Sequence, residues 1–434
     1  MVFQRTVSRA LQIRQQTVRK SFISSSLFLK RRDESTQANI ASEIPTNCEC
    51  KVTGEGSEPN YARTDETADE IIIHSPEPFA TKHGGILPDV NIAYEAWGQL
   101  NNEKDNVILL NHGLSASSHA KTNSNNPISA NGWWEKFIGP GLSIDTNKFY
   151  VICVNHLGSC FGTSGPSTIN TTSGKHFGSD FPIVTIEDMV RVQFRLLDIF
   201  GIEKVHASVG ASLGGKSSLL SPALFPDRIN RMVSISAAAA SPPSSIAFRY
   251  LQRVALMNDP KWNNGHYYDG LFPTDGTRLA RKIATLTYRS GPEWEKRFKT
   301  EKINHPDAVL PRYHEPEFLI EDYIRHQGET FMAKTKFDPN SLIYLSKAAD
   351  LFDMSNGFQN LEESFARIKC PSLIMGATSD ILYPITKQKE MADLIEKGGN
   401  KDVLYYADEG YFGHDTFLLD VEGMGIKMKE FLEA

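Results

Sequence analysis

The chain has 434 residues, of which 40% are apolar, 23% charged and 10% aromatic, and its formal net charge is −6. This is a globular balance: it excludes bulk disorder, a collagen-like repeat and a coiled-coil rod, and it removes the whole-protein electrostatic case for nucleic acid. No stretch reaches the roughly 18–20 apolar residues of a membrane helix, so neither a nucleic acid nor a membrane is an expected partner.

The first 70 residues carry the only strong charge asymmetry. Residues 1–32 hold eight basic residues, among them Arg5, Arg9, Arg14 and Arg19, and no acid. Phe3, Val7 and Leu11 recur every four residues, with Arg5 and Arg9 on another face. That pattern is an amphipathic basic helix, the form of a mitochondrial presequence, and it predicts a matrix location. A disordered basic tail is the alternative. Residues 33–70 hold ten acidic and two basic residues and read as an acidic flexible linker. The five cysteines include no C-x-x-C pair, and Cys48-x-Cys50 has no nearby histidine, so neither a disulfide scaffold nor a metal site is expected.

From residue 71 onward, short β-rich runs alternate with helical patterns. Strands are predicted at 71–74, 90–97, 106–112, 148–154, 204–210, 229–236, 371–376 and 402–406. Helices are predicted at 186–200, 213–224, 384–397 and 416–433. Several strands, such as Val107-Ile-Leu-Leu110, are wholly apolar, as strands buried on both faces must be. The alternation predicts an α/β fold with a mostly parallel central sheet. About 134 residues separate the strand ending near Ser236 from the one opening at Pro371, far more than an ordinary connection. With helical patterns at 245–257, 276–288, 315–327 and 340–350, residues 237–370 read as an inserted helical cap. The core is then 71–236 and 371–434.

The sharpest motif is Gly210-Ala211-Ser212-Leu213-Gly214, which follows a β run and precedes a helix. That is the context of a nucleophile elbow, where flanking glycines relieve the crowding of a tight strand-to-helix turn. A serine hydroxyl needs a base held by an acid. In this architecture the acid and then the histidine follow the serine along the chain. Asp380 stands at the end of a late strand, and His414 lies on the loop after the last one. Asp408 is the rival acid. Leu213 supplies one oxyanion N–H. The loop His112-Gly113-Leu114, after an early strand, supplies the second through Leu114.

These features together resemble the homoserine O-acetyltransferase (MetX-like) family of the α/β-hydrolase superfamily. The likeness runs over 71–434. It is carried by Trp133-Trp134, Ile138-Gly-Pro-Gly141, Asn155-His-Leu-Gly158, Gly162-Thr-Ser-Gly-Pro166 and Ile186-Glu-Asp-Met-Val190. Ser212-Leu-Gly-Gly215, Leu286-Thr-Tyr-Arg-Ser290 and Gly413-His414-Asp415 extend it. The resemblance implies an α/β-hydrolase fold and a ping-pong acyl transfer from acyl-CoA, as co-substrate, to the hydroxyl of a small amino acid, with no bound cofactor. It places Arg281 and Tyr288, seven apart on one helix face, in the cap over the serine. Arg281 matches the arginine that grips the amino acid's carboxylate. Asp415 matches the residue near its ammonium group or hydroxyl. Dimerisation through the cap is also suggested.

One departure is informative. The family usually carries H-A-L-T-G at the oxyanion loop, whereas this chain has His112-Gly113-Leu114-Ser115-Ala116. The G-L-S-A form resembles the serine O-acyltransferases of the same family. The expectation is therefore serine as acceptor, with either an acetyl or a succinyl donor, feeding cysteine synthesis. Homoserine as acceptor, a plain esterase on the same triad, and a binding protein without chemistry are the alternatives.

Overall fold

The computed structural model describes residues 71–123, 131–303, 316–335 and 337–434. The expected presequence and acidic linker lie outside the described residues. Eight strands form one sheet: β1 (Ile71–Ser75), β2 (Val90–Trp97), β3 (Val107–Asn111), β4 (Tyr150–Val154), β5 (Ala207–Ala211), β6 (Met232–Ile235), β7 (Ser372–Ala377) and β8 (Val403–Asp408). Their order across the sheet is β1-β2-β4-β3-β5-β6-β7-β8. The β1–β2 and β2–β4 pairs are antiparallel, and every pair from β4–β3 to β7–β8 is parallel. Each of the eight predicted strand positions is occupied. β3, β5, β6 and β7 are buried along their whole length, which is why they read as apolar or small-residue runs.

Helices α1 (Ile186–Ile199) and α2 (Leu213–Leu224) pack on one another, and α2 packs on β5 and β6. Thr185 starts α1 with a capping box: its side chain accepts from the Asp188 N–H, and Asp188 accepts from the Thr185 N–H. Between β6 and β7 come α3 (Pro243–Met257), α4 (Thr274–Tyr288), α5 (Gly291–Arg297), α6 (Leu319–Lys334), α7 (Pro339–Leu351) and α8 (Leu361–Ala366). α3 packs on α4 and α7, and α4 on α6. α8 differs. It lies within the expected insertion 237–370, yet it packs against α2 and against α9 (Ile385–Lys397) beside the sheet.

The predicted helix 416–433 is broken. A short α10 (Thr416–Leu419) and α11 (Ile426–Glu433) flank a wider π turn at Val421–Gly425. The break falls at Asp420, whose φ −89° and ψ 90° are not helical and whose carboxylate accepts from the Gly423 N–H at 2.7 Å. A Cβ on Gly423 would lie 2.4 Å from an Asp408 carboxylate oxygen, and one on Gly425 2.6 Å from the Ser143 hydroxyl. Glycine at these two positions lets the turn lie close to Asp408 and Ser143.

The wall behind the site is aromatic. Trp134 stacks between Trp133 and Phe137 at ring-centroid distances of 5.2 and 5.0 Å, and its indole N–H donates to the Phe417 carbonyl at 2.9 Å. Trp134 is 1% exposed. Trp134→Ala is expected to lower unfolding free energy by about 3–5 kcal/mol through the cavity it leaves. Trp134→Phe, which loses the indole hydrogen bond and part of the ring volume, should cost less, about 1–3 kcal/mol. Urea denaturation measures both, and an unchanged midpoint for the alanine variant would contradict this packing.

Candidate active site

Ser212 joins the buried end of β5 directly to the first residue of α2. Its backbone angles are φ 58° and ψ −118°, a region that non-glycine residues rarely occupy. The glycines at ±2 are required by close approach. A Cβ on Gly210 would lie 2.3 Å from the Gly214 carbonyl oxygen, and one on Gly214 2.0 Å from the Asn111 carbonyl oxygen. The turn holds the start of α2 against the end of β3.

The elbow presents the serine to its partners. Ser212 Oγ lies 2.8 Å from His414 Nε2, and His414 Nδ1 lies 2.7 Å from Asp380 Oδ2. An ionised carboxylate only accepts, so Nδ1 carries the imidazole proton and Nε2 accepts from the serine hydroxyl. The other Asp380 oxygen accepts from the Leu382 and Tyr383 N–H groups at 2.8 and 2.9 Å, which fixes the carboxylate. The three sequence-predicted residues, far apart in the chain, are therefore brought together. The rival, Asp408, is elsewhere: its carboxylate accepts from the Gly410 N–H and faces Asp420, and burial with that neighbour pushes its pKa up.

Burial disfavours a charged His414, but the Asp380 carboxylate outweighs burial, with Asp415 and Tyr383 adding to it. The ring titrates above the ordinary histidine value. Tyr383 packs against it, with ring centroids 5.5 Å apart. The Tyr383 hydroxyl faces Arg249 at 3.0 Å and its ring faces Lys216. Burial raises the Tyr383 pKa, yet Arg249 and Lys216 bring it down to about 8.

The pocket in front of Ser212 is lined by Gly113, Leu114, Ser115, Ala116, Trp133, Tyr288, His414, Asp415, Phe417 and Leu418. All four residues of the predicted specificity loop are in it. Leu213 opens α2, where a backbone N–H has no partner within the helix. Tyr288 and Asp415 face the same space. Arg281 is not among the lining residues. It stands one layer back, its guanidinium carbon 5.8 Å from the Tyr288 ring centre and 4.9 Å from that of Phe331.

Asp415 is held by a group that sequence reasoning left unassigned. Arg289 Nη1 donates to it at 3.3 Å, and Glu293 grips the same guanidinium through two bonds, the Nε one at 2.7 Å. Burial raises the Asp415 pKa, against Arg289, His414 and Arg281, which lower it. The signal was present: Arg289 and Glu293 are four apart across a helix start. Phe417 and Leu418, which dry the pocket, gave no signal beyond an apolar pair.

Among the described residues, no group of three His, Cys, Asp or Glu side chains is placed to hold a metal, and no helix is long and apolar enough to cross a membrane. The arrangement is suited to nucleophilic acyl chemistry: a serine and a base oriented by an acid, opening on a largely apolar pocket.

Known proteins share this arrangement of the chain. The family described as alpha/beta hydrolase fold matches residues 106–421. A serine O-succinyltransferase of Emericella nidulans is 44% identical, over 88% of this chain and 84% of its own. A homoserine O-acetyltransferase of Deferribacter desulfuricans is 38% identical, over 82% and 93%. The crystal structure of esterase E22 superposes with a TM-score of 0.75 at 30% identity, over 84% of this chain and 99% of that one. On sheet order, elbow and these likenesses, the chain belongs to the α/β-hydrolase family that holds the homoserine O-acetyltransferases and the serine O-succinyltransferases.

Proposed function

We propose that the chain transfers a succinyl group from succinyl-CoA to the side-chain hydroxyl of L-serine. The observation that carries this reading is the Ser212–His414–Asp380 relay opening on a pocket that also holds Asp415 and the Gly113–Ala116 loop. In the first half-reaction His414 takes the Ser212 proton and Ser212 Oγ attacks the thioester carbonyl. The Leu114 and Leu213 N–H groups receive the negative charge on oxygen. The carbon–sulfur bond breaks, and His414 returns the proton to the leaving thiolate, giving free CoA and acyl-Ser212. In the second, His414 deprotonates the acceptor hydroxyl, which attacks the acyl-enzyme. Ser212 regains the proton, and an O-acyl amino acid leaves.

The acceptor is read as serine on two grounds. The loop has the G-L-S-A form, and the Emericella relative is named a serine O-succinyltransferase. Arg281 would take the amino acid's carboxylate and Asp415 its ammonium group, with Tyr288 between them. The donor is read as succinyl from the same relative. No bound cofactor takes part in this chemistry. The product, an activated serine, would enter cysteine synthesis, and the basic segment 1–32 would direct the protein to the mitochondrial matrix. Exposed apolar side chains on α3 and α4, among them Ile246, Tyr250, Leu251, Leu279 and Leu286, support a homodimer through the cap.

Two other readings have a specific support each. The Deferribacter relative is named a homoserine O-acetyltransferase, and the likeness to esterase E22 favours hydrolysis. One methylene separates serine from homoserine, worth about 1–3 kcal/mol, so some activity on both is expected.

The deciding assay follows CoA release with acetyl- or succinyl-CoA against serine or homoserine. Release with succinyl-CoA and serine in excess of the other pairs is expected. Release only with homoserine would overturn the acceptor, and equal release without any amino acid would mean hydrolysis. Ser212→Ala should lower turnover by about 10⁴-fold or more. Asp415→Leu and Arg281→Leu should each raise KM for the amino acid about 10–100-fold, with little change in acylation by acyl-CoA, the magnitude of a lost charge-assisted bond. The pH profile has a fixed sign. Only neutral His414 accepts the serine proton, and its pKa is raised, so the acid limb of kcat/KM should lie above pH 6.5. Asp380→Asn removes the largest charge that raises it and leaves only Asp415 and Tyr383 against burial, so the limb should move to lower pH as turnover falls.

A further inference from the structure

Two buried histidines outside the triad, His112 and His156, stand beneath the oxyanion loop. They are 44 residues apart and interlocked. His156 Nε2 donates to the His112 carbonyl at 2.8 Å, and the His156 backbone N–H donates to His112 Nε2 at 3.1 Å. Their rings lie 3.9 Å apart. Because His112 Nε2 accepts, its proton is on Nδ1, and Nδ1 donates to the Gly113 carbonyl at 2.8 Å.

That last bond is the informative one. The Gly113 carbonyl also accepts from the Ala116 N–H at 3.3 Å, so it is held from two sides. It belongs to the same planar trans peptide as the Leu114 N–H, and in such a unit the C=O and N–H point in opposite directions. Fixing the carbonyl fixes the direction of the N–H. We infer that His112 and His156 are positioning residues for the oxyanion site: His112 aims the Leu114 N–H through the Gly113 carbonyl, and His156 holds His112 in the tautomer that does so.

The neighbourhood suits this role. Both rings are buried, and His156 Nδ1 has no hydrogen-bond partner among the described residues, as expected of a bare lone pair when Nε2 carries the proton. Burial brings the His156 pKa down to about 4, so it stays neutral across the working range. A protonated His112 would lose the acceptor that receives the His156 N–H. Gly214 presses on the same segment from the other side: its Cβ would lie 2.8 Å from the His112 carbonyl oxygen. The two histidines thus connect the ends of β3 and β4 to the elbow.

This inference rests on the reading of Leu114 as an oxyanion donor, and the test is chosen to separate the two. Hydrolysis of p-nitrophenyl acetate needs Ser212 and the oxyanion site but neither CoA nor an acceptor, and it is measured beside succinyl transfer in the full-length protein. His112→Leu is expected to lower kcat in both reactions by about 10–100-fold, with KM within about twofold, since a misaimed donor costs less than a deleted one. His112→Asn, whose amide nitrogen can occupy the Nδ1 position, should recover most of that loss. His156→Leu should lower kcat about tenfold. It is read alone if His112→Leu does not fold. Wild-type kcat in the leucine variants, a change confined to KM, or His112→Asn falling as far as His112→Leu would each overturn the inference while leaving the triad in place. A wild-type protein inert toward both ester and thioester would overturn the proposed function, and this inference with it.

Discussion

A serine held at φ 58° carries about 1–3 kcal/mol of backbone strain, and such a conformation persists only where the surroundings over-determine it. Here they do so through the sheet. Gly210 is in register with Asn111 of β3, and Ala211 with Ile235 of β6, so the end of β5 is fixed on both sides. The Ser212 N–H donates to the Ile235 carbonyl at 2.9 Å, and the carbonyl of Ser212 accepts from the Lys216 N–H. With Gly214 against Asn111, the start of α2 has no freedom to withdraw. The same register then delivers the partners. β7 and β8 are paired up to Ala377 and Asp408, and their following loops carry Asp380 and His414 to the same end of the sheet. Strand ends gather functional loops in folds of this kind, and a single strained turn sets where the others must meet.

The second constraint is charge at the junction of cap and core. Lys216, four residues after the nucleophile, is buried and reaches the Ser241 hydroxyl at 2.6 Å and the Ala349 carbonyl at 3.0 Å. Burial pulls its pKa down to about 8. Arg249 and Arg253 of α3 pair with Asp350 of α7, each at 2.6 Å. Replacing such pairs with well-packed apolar groups is often neutral or stabilising, whereas removing one partner is costly. The cluster is therefore better understood through its position than through stability. It joins α2, α3 and α7 next to Tyr383, which touches both Asp380, through its N–H, and the His414 ring. Cap placement and the orientation of the base are coupled in one buried network.

The strands were legible because a sheet covered on both faces leaves little choice of residue type, and Val107–Leu110 or Leu373–Met375 admit few other readings. The triad was legible because elbow geometry restricts residue type and because chain order selects the acid and the base. Asp408, on the histidine's own loop, is the rival acid in the sequence, and its placement against Asp420 keeps it out of the relay. The interruption of the predicted helix 416–433 is not legible because its apolar spacing is helical throughout, while the break lies in the backbone of Asp420 and its cap on the Gly423 N–H. α8 was assigned to the insertion because sequence distance does not reveal that it packs back on α2 and α9. Arg289, His112 and His156 were missed as functional candidates for one reason. Each acts through a second residue, and a spacing pattern records elements, not the partner at the far end of a hydrogen bond.

A Ser–His–Asp relay can deliver an acyl group either to an acceptor hydroxyl or to water, and esterase E22 shares this fold. The triad therefore does not decide between them; the competition at the acyl-enzyme does. Water outnumbers any amino acid, so an acceptor prevails only when binding gives its hydroxyl a high effective concentration at the acyl carbon. Under the proposed function that binding comes from opposite charges at the two ends of a zwitterion, Arg281 and Asp415, kept effective by a wall of Trp133, Phe417 and Leu418. A carboxylate buried there would tend to protonate, and burial does push the Asp415 pKa upward. Arg289 opposes that tendency, and Glu293 beneath it holds Arg289 in place. On this account the Arg289–Glu293 pair favours the charged form of Asp415 against burial, which is the condition for recognising an ammonium group in an apolar site.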